Sequence, residues 1–265
     1  MIVRNCLIVY AIPRNREEKS TLETVKNILR KHKIAYSLAN RDFLNREKFS
    51  GMDLIIPVGG DGTFLRASQF ADKETLFGVN ADVKNKEGFF MKSDKGNFEE
   101  KLKKIVRGDF MKIALPRLKA YINGSGIDSY ALNEFFIGPR KSYHAAKYWI
   151  YVDEEIDKKE RQKSSGVLVA TPTGSHAWAK SCLNETLPLN SKKFLFVVRE
   201  PYEGNVFKGY KLKEGLLEKS QKISIISEML DGILIADSVG MEYKLKCGSK
   251  VSVGLSDKSI NAVWE

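Results

Sequence analysis

The residues best suited to chemistry in this chain are the glycines, carboxylate and threonine of residues 59–63, Gly-Gly-Asp-Gly-Thr. An apolar run from Leu54 to Val58 precedes them with the character of a buried strand, and Phe64-Leu65 begins a helical pattern. Glycines let a phosphate approach the backbone and permit positive φ, and a helix start attracts anions. A carboxylate there repels phosphate unless it binds a metal or accepts a proton, which are both roles in phosphoryl transfer. The same residues also fit a simple strand-to-helix turn.

Two further groups of polar residues stand in apolar surroundings. Asn133-Glu134 lies within a predicted strand, where an amide and a carboxylate could bind a ribose and an adenine edge. Residues 171–175, Thr-Pro-Thr-Gly-Ser, follow the strand at 167–170 and precede a predicted short helix, so hydroxyls and free backbone N–H groups would gather there. Each group fits a structural role as well.

Strands and helices alternate in the first part of the chain. The apolar runs predict strands at 2–10, 34–38, 54–58 and 75–80, and a capping box at Ser20-Thr21-Leu22-Glu23 predicts a helix start. A second helix continues to about Phe70, and a third is predicted between Asn97 and Gly108. This alternation predicts a parallel sheet whose ligand binds beyond the carboxyl ends of the strands, where Asp61 lies.

After Pro116 the predicted elements are successive strands, and no flexible linker separates them from the first part of the chain. We therefore predict an α/β domain at 1–115 followed by a β-rich, sandwich-like domain at 116–265. Turns are predicted at 123–126 and 231–232. The predicted strands of the second domain are 118–122, 130–137, 147–152, 167–170, 194–199, 223–227, 233–236 and 251–255.

Composition narrows the class of protein. The 44 Lys and Arg residues exceed the 33 Asp and Glu residues and give a net charge of +11, which suits anionic ligands such as nucleotides. The lysines are scattered, so we expect no nucleic-acid partner. The three cysteines are far apart, which favours a reducing, cytoplasmic location over a disulfide framework or a zinc site. No apolar run approaches the ~20 residues of a membrane span, so no membrane partner is expected.

In this order, the motifs resemble the NAD kinase family over nearly the whole chain. The resemblance rests on residues 59–63, 78–80 with 88–90, 133–134 and 171–175, and residues 133–138, 162–166 and 175–178 are similar to the mitochondrial-type branch. It implies an enzyme that transfers a phosphoryl group from ATP or polyphosphate to the 2′-hydroxyl of the adenosine ribose of NAD, giving NADP. It also implies the fold predicted above from the residues.

The resemblance implies roles for individual residues as well. Asp61 would be the general base, and Gly59, Gly60, Gly62 and Thr63 would bind the donor's phosphates. Mg²⁺ would be held mainly by phosphate and water, with no protein cage. The residues implied to form the NAD site are Asn80, Asn133, Glu134, Thr171, Thr173, Gly174, Ser175 and, by a loose alignment, Asp237.

Three matters stay open at the level of sequence. The Gly-Gly-Asp-Gly loop also occurs in kinases that phosphorylate lipids or sugars, and a non-catalytic dinucleotide-binding protein is a further alternative. The donor, ATP or polyphosphate, and the acceptor, NAD or NADH, are not distinguished. A homodimer or homotetramer is expected because a strand-rich domain must protect its edges.

Overall fold

The computed structural model describes residues 3–153, 155–183 and 185–264, and its chain forms two compact units. Unit 1 takes in the chain up to Ala114 and the segment that begins at Ser259, and unit 2 is Leu115–Lys258. Unit 1 is α/β and unit 2 is built from strands, which confirms the predicted fold class. Ile2, predicted to lie in the first strand, is outside the described residues.

Unit 1 contains a parallel sheet with helices. Its elements in chain order are β1 (Asn5–Tyr10), α1 (Arg16–Lys31), β2 (Ala35–Asn40), β3 (Leu54–Gly59), α2 (Asp61–Ser68), β4 (Thr75–Leu76), β5 (Val79–Asn80), β6 (Ser93–Asp94) and α3 (Phe98–Arg107). Strand β1 pairs in parallel with β2 and β3, and β3 pairs in parallel with β4 and β5. The carboxyl ends of parallel strands share one edge, so the loops after β1, β2, β3 and β5 meet there.

Helix α1 begins a turn earlier than the predicted capping box. Asn15 is its N-cap, because the Asn15 side chain accepts a hydrogen bond of 2.8 Å from the Glu18 amide. Thr21, which the prediction placed in the box, is buried and donates its hydroxyl to the Ala81 carbonyl at 3.0 Å. Val25 and Leu29, on one face of α1, are fully buried.

Helix α3 has the predicted ends. Gly108 closes it in the left-handed conformation with φ of 81°, which a residue without Cβ adopts freely. Asn97 occupies the N-cap position but makes no side-chain cap bond, because its Oδ1 atom accepts from Ser93 and from the Asp94 amide. None of the described helices is long and apolar enough to cross a membrane.

Unit 2 is a sandwich of two sheets. The chain supplies β7 (Lys112–Ile122), β8 (Ser125–Ala131), β9 (Glu134–Pro139), β10 (Ala146–Val152), β11 (Glu160–Ser164), β12 (Gly166–Ala170), β13 (Lys193–Arg199), β14 (Glu214–Glu218), β15 (Ile223–Ser227), β16 (Gly232–Ala236), β17 (Tyr243–Leu245) and β18 (Lys250–Val263). One sheet has the order β14-β13-β12-β9-β16-β17, and the other contains β11-β10-β15-β18, with β7 paired to β18 and β8 paired to β7. Side chains from both sheets, such as Phe135 and Ile225, share one core.

Several sequence predictions need correction. The strand predicted at 130–137 is two strands, β8 and β9, with Leu132 and Asn133 between them. The strand predicted at 75–80 is likewise divided into β4 and β5. No regular helix follows residues 171–175, since the described chain forms only short 3₁₀ turns at Gly174–His176 and Trp178–Ser181. Strands β11, β14 and β17 were not predicted, because each is short and rich in polar residues.

Candidate active site

Asp61 lies at the carboxyl edge of the unit 1 sheet, as the first residue of α2. Its two carboxylate oxygens accept hydrogen bonds from backbone amides, at 3.0 Å from Phe89 and 2.8 Å from Phe90. These bonds fix the plane of the carboxylate, and the positive end of the α2 dipole favours its charge. Asp61 is only half-buried. It is therefore an oriented carboxylate that a ligand can still reach.

The three glycines beside Asp61 have different physical roles. A Cβ on Gly59 would stand 2.3 Å from Thr63 Oγ1, so this glycine lets α2 pack closely on the end of β3. A Cβ on Gly60 would meet the side-chain stem of Lys86, with Cδ at 3.1 Å, and one on Gly62 would meet the Arg41 guanidinium at 3.7 Å. None of the three glycines adopts a positive φ. Gly60 and Gly62 leave the backbone open on the ligand side, as predicted for a phosphate loop.

A cavity of about 310 Å³ opens over this loop. It is lined by the glycines, Asp61 and Thr63 together with residues from the neighbouring loops, among them Ile12, Arg14, Glu18, Arg41, Lys86 and Glu87. The lining has the cations Arg14, Arg41 and Lys86 and the carboxylates Glu18, Asp61 and Glu87, so its charges balance. This cavity can hold a polyphosphate whose own charge is partly neutralised.

The cationic residues of this cavity were missed in the sequence. Arg14 and Arg41 follow the ends of β1 and β2, and Lys86 lies in the loop after β5. The signal that could have found them is a basic residue just beyond a parallel strand, because such positions share the ligand-binding edge. Lys92 was also missed. Burial lowers its pKa, and the charge of Asp61 partly opposes that shift.

Asn80 supports the same loop from behind. Its side-chain amide donates to the Lys86 carbonyl at 3.1 Å and accepts from the Asp82 amide at 3.0 Å. Gly88 has φ of +72°, and a Cβ there would lie 2.5 Å from the Asn80 amide nitrogen. Asn80 thus holds the turn that carries Lys86.

The second group of polar residues forms a corner in unit 2 between β8 and β9. Asp237, at the end of β16, accepts hydrogen bonds from the amides of Leu132, Asn133 and Glu134 at 2.9, 2.7 and 3.2 Å. Its own amide donates to the Glu134 carbonyl at 2.9 Å. These bonds replace a strand ladder, which is why the predicted continuous strand breaks here. Asp237, predicted as a ligand contact, holds the corner in this structure.

Thr171, Thr173 and Gly174 support the corner from β12. Both threonine hydroxyls lie within hydrogen-bond distance of the Leu132 carbonyl, at 2.6 and 2.5 Å. Packing requires a glycine at position 174, because a Cβ there would stand 2.1 Å from the Asn133 carbonyl oxygen. The fully buried threonines therefore place the Asn133–Glu134 backbone.

The backbone N–H groups that were predicted to be free around residues 171–175 are bonded in the structure. The amides of Gly174, Ser175 and His176 donate to Thr171 and Thr173 within the same turn. The hydroxyl of Ser175 donates to the Pro172 carbonyl at 2.7 Å and accepts from the Leu187 amide at 2.8 Å. These groups stabilise the loop and leave few free donors for a phosphate.

Asn133 and Glu134 differ from the residues around them because one buried oxygen of each side chain is not hydrogen-bonded within the described part of the chain. Asn133 Oδ1 and Glu134 Oε2 are buried and have no hydrogen-bond partner among the described residues. Burial, reinforced by the charge of Asp237, raises the pKa of Glu134 to about 8. A buried polar atom without a partner costs ~1–3 kcal/mol and is typical of a ligand site. Near neutral pH, Glu134 is therefore protonated and able to donate as well as accept.

The chain is similar to known proteins. Residues 6–110 match the family model described as ATP-NAD kinase N-terminal domain. The NAD kinase of Thermoplasma volcanium is 30% identical over 211 residues, which cover 80% of this chain and 73% of that protein. The chain belongs to the NAD kinase family.

Other comparisons agree with this membership. Human mitochondrial NAD kinase 2 is 26% identical over 323 aligned positions, covering 91% of this chain and 72% of that protein. The crystal structure of an Archaeoglobus fulgidus NAD kinase with ATP has the same fold, with a TM-score of 0.78 and 22% identity over 98% of this chain and 93% of that one. The lipid- or sugar-kinase and non-catalytic alternatives are not favoured, and the chain is a kinase.

Proposed function

We propose that this kinase transfers a phosphoryl group from ATP or polyphosphate to the 2′-hydroxyl of the adenosine ribose of NAD, producing NADP. The observation that carries the proposal is the carboxylate of Asp61, which two backbone amides orient beside an open phosphate-sized cavity. Relatives named NAD kinases support the choice of acceptor.

Asp61 acts as the general base in this proposal. It takes the proton from the 2′-hydroxyl as that oxygen forms a bond to the terminal phosphorus of the donor. The bond from this phosphorus to its bridging oxygen breaks, and ADP or a polyphosphate shorter by one unit leaves with the electron pair. A positioned base contributes ~100- to 10,000-fold to the rate. Because its carboxylate orientation is fixed in advance, little reorganisation is needed during the reaction.

The glycine loop binds the donor. The first two amides of α2, those of Asp61 and Gly62, have no carbonyl one turn earlier in the helix to accept from them, whereas the Thr63 amide donates to the Gly60 carbonyl at 2.8 Å. Gly60 and Gly62 leave these two amides accessible to phosphate oxygens. Thr63 is fully buried, so its hydroxyl contributes by positioning Arg41 through the hydrogen bond from that guanidinium. The donor is therefore held chiefly by backbone groups and cations.

We propose that a Mg²⁺ ion enters the cavity bound to the donor phosphates. Among the described residues no group of three His, Cys, Asp or Glu side chains is placed to hold a metal. The balanced charges of the lining also leave the donor's negative charge uncompensated. Bound Mg²⁺ would neutralise phosphate oxygens, and Asp61, the carboxylate of residues 59–63, would be the loop side chain able to contact it.

Asn133 and Glu134 bind the adenosine end of NAD in this proposal. The unpartnered Asn133 Oδ1 atom accepts from a ribose hydroxyl or the adenine amino group. Glu134, protonated near neutral pH, can donate to a ring nitrogen or a ribose oxygen. Binding then satisfies polar atoms that are already desolvated, so each bond retains more of its strength.

We also propose a homodimer or homotetramer in the cytoplasm. The edge strand β14 exposes Leu216, which is 48% accessible, and such an edge favours pairing with another chain. Cys182 and Cys247 are exposed and unpaired, which suits a reducing compartment. Light scattering at micromolar concentration tests the assembly, and a monomer mass would contradict it.

A coupled assay for NADP formation tests the activity. The parent protein is given Mg²⁺, NAD or NADH, and ATP or polyphosphate, beside Asp61→Asn and the exposed control Asp257→Asn. We expect kcat to fall ~100- to 10,000-fold in Asp61→Asn and to stay near the parent value in the control. The amide also loses one backbone hydrogen bond to Phe89 or Phe90, so folding is checked by thermal unfolding. Full activity of folded Asp61→Asn would refute its role as base.

A further inference from the structure

Arg41 is the cation of the glycine-loop cavity whose backbone is held most directly against α2. It follows the last residue of β2, Asn40, whose side chain accepts from the Asp42 amide at 2.9 Å and caps a short 3₁₀ turn. Arg66, on α2, donates its Nε–H to the Arg41 carbonyl at 3.2 Å. The turn that carries Arg41 is thus tied to the helix whose first residues form the phosphate loop.

The guanidinium itself lies against the start of α2. Arg41 Nη1 donates to Thr63 Oγ1 at 3.3 Å and stands 3.7 Å from the position that a Cβ on Gly62 would occupy. Arg41 also lines the 310 Å³ cavity. Its ion pair with Asp42 is long, at 3.6 Å, and the Asp42 side chain is 62% exposed, so that pair contributes little. The guanidinium therefore keeps donors available beside the loop.

The other cations of the cavity are placed differently. Lys86 pairs with Glu18 at 2.9 Å, and the Glu18 side chain is only 10% exposed, so much of that positive charge is already compensated. Arg14 is exposed and its backbone amide donates to Glu18. Among the described lining residues, Arg41 is the cation that combines a fixed backbone with direct contact to α2.

We propose that Arg41 binds the phosphoryl group that the donor transfers, through two parallel N–H bonds to its oxygens next to Thr63. The proposal rests on the phosphoryl transfer described above and adds a residue that determines donor binding. A planar guanidinium binds two oxygens of one phosphate, whereas an ammonium binds as a point charge, so lysine is a poor substitute. Arg41 thereby stabilises charge on the phosphoryl oxygens during transfer.

The test compares Arg41→Ala and Arg41→Lys with Arg46→Ala, an exposed arginine of the same segment that does not line the cavity. Donor and NAD are titrated separately in the NADP assay. We expect kcat/KM for ATP to fall roughly 100-fold in Arg41→Ala, with Arg41→Lys recovering under a tenth of the loss. The KM for NAD and the Arg46→Ala kinetics should stay within about twofold of the parent.

A binding measurement separates this proposal from the proposed function. Calorimetry with inorganic tripolyphosphate and Mg²⁺ reports donor-site affinity without any acceptor chemistry, and we expect Arg41→Ala to weaken it at least ~10-fold. If the parent makes no NADP, the proposed function fails while this binding difference still tests Arg41. Unchanged tripolyphosphate affinity and donor kcat/KM in folded Arg41→Ala would overturn the proposal. An equal rise of the NAD and donor KM values would also overturn it. If Arg41→Ala does not fold, Arg41→Lys provides the same comparison.

Discussion

Replacing Glu134 with glutamine should remove a specific pH dependence of folding stability. The folded-state pKa of Glu134 is about 8, against an ordinary value of 4.5, because the carboxyl is buried and faces the charge of Asp237. Between these values the unfolded chain has released the proton while the folded chain still holds it. The contribution of Glu134 to the unfolding free energy is therefore fully present below about pH 4.5 and is lost as the pH rises toward 8.

The size of the effect follows from this interval. At ~1.4 kcal/mol per pH unit, the interval from 4.5 to about 8 corresponds to at most about 5 kcal/mol. Partial entry of water into the ionised site reduces the cost, so we expect a loss on the order of 2–4 kcal/mol. That is a substantial part of a typical folding free energy of ~5–15 kcal/mol.

Urea unfolding of parent and Glu134→Gln between pH 5 and 8.5 measures this loss. Other groups titrate alike in both proteins, so the difference in unfolding free energy isolates Glu134. We expect the glutamine variant to gain on the parent steadily as the pH rises. The exposed control Glu214→Gln should show a constant difference. A parent-to-variant difference that stays flat within about 0.5 kcal/mol would refute the assignment of a neutral, buried Glu134.

Two further substitutions test the corner between β8 and β9. Asp237→Asn keeps one acceptor oxygen, so it should lose the hydrogen bond from the Leu132 amide. We expect urea unfolding to show an unfolding free energy lower by ~1–3 kcal/mol, and the NADP assay to show a higher KM for NAD. Unchanged values would contradict the positioning role of Asp237. Gly174→Ala places a Cβ 2.1 Å from the Asn133 carbonyl oxygen, whereas a Cβ on the control Gly126→Ala has its nearest neighbour at 3.4 Å. The midpoint of thermal unfolding should therefore be well below that of the control. Equal midpoints would contradict the close packing at Gly174.

Much of unit 1 could be predicted from the sequence because the patterns that specify its strands and helices are local. The apolar run that becomes β3 and the glycine that ends α3 act within a few residues. The start of α1 was misplaced since two capping patterns lie close together and only Asn15 makes the bond. The partners of Asp61 could not be read, because Phe89 and Phe90 lie 28 and 29 residues away.

Unit 2 shows the same limit more strongly. Residues 171–175 read as a helix start, but their hydroxyls and amides bond to the corner at Leu132 and Asn133 and within their own turn. The break after β8 depends on Asp237, whose bond to Leu132 spans 105 residues of chain. No local pattern in the sequence predicts such a bond. The residues on either side of Leu132 favour a strand by their types, so the sequence predicts one continuous strand there.

By itself, the sequence determined the types of chemical group available: a carboxylate among glycines, an amide-carboxyl pair, and the order that places them after strands. It could do so because residue type and short-range spacing suffice for strand, turn and capping preferences. Only the tertiary structure decided that Arg41 contacts Thr63, that backbone amides orient Asp61, and that Asn133 and Glu134 keep buried atoms without partners. Those properties arise from contacts between distant residues and from the water that packing excludes, which no local stretch of chain encodes.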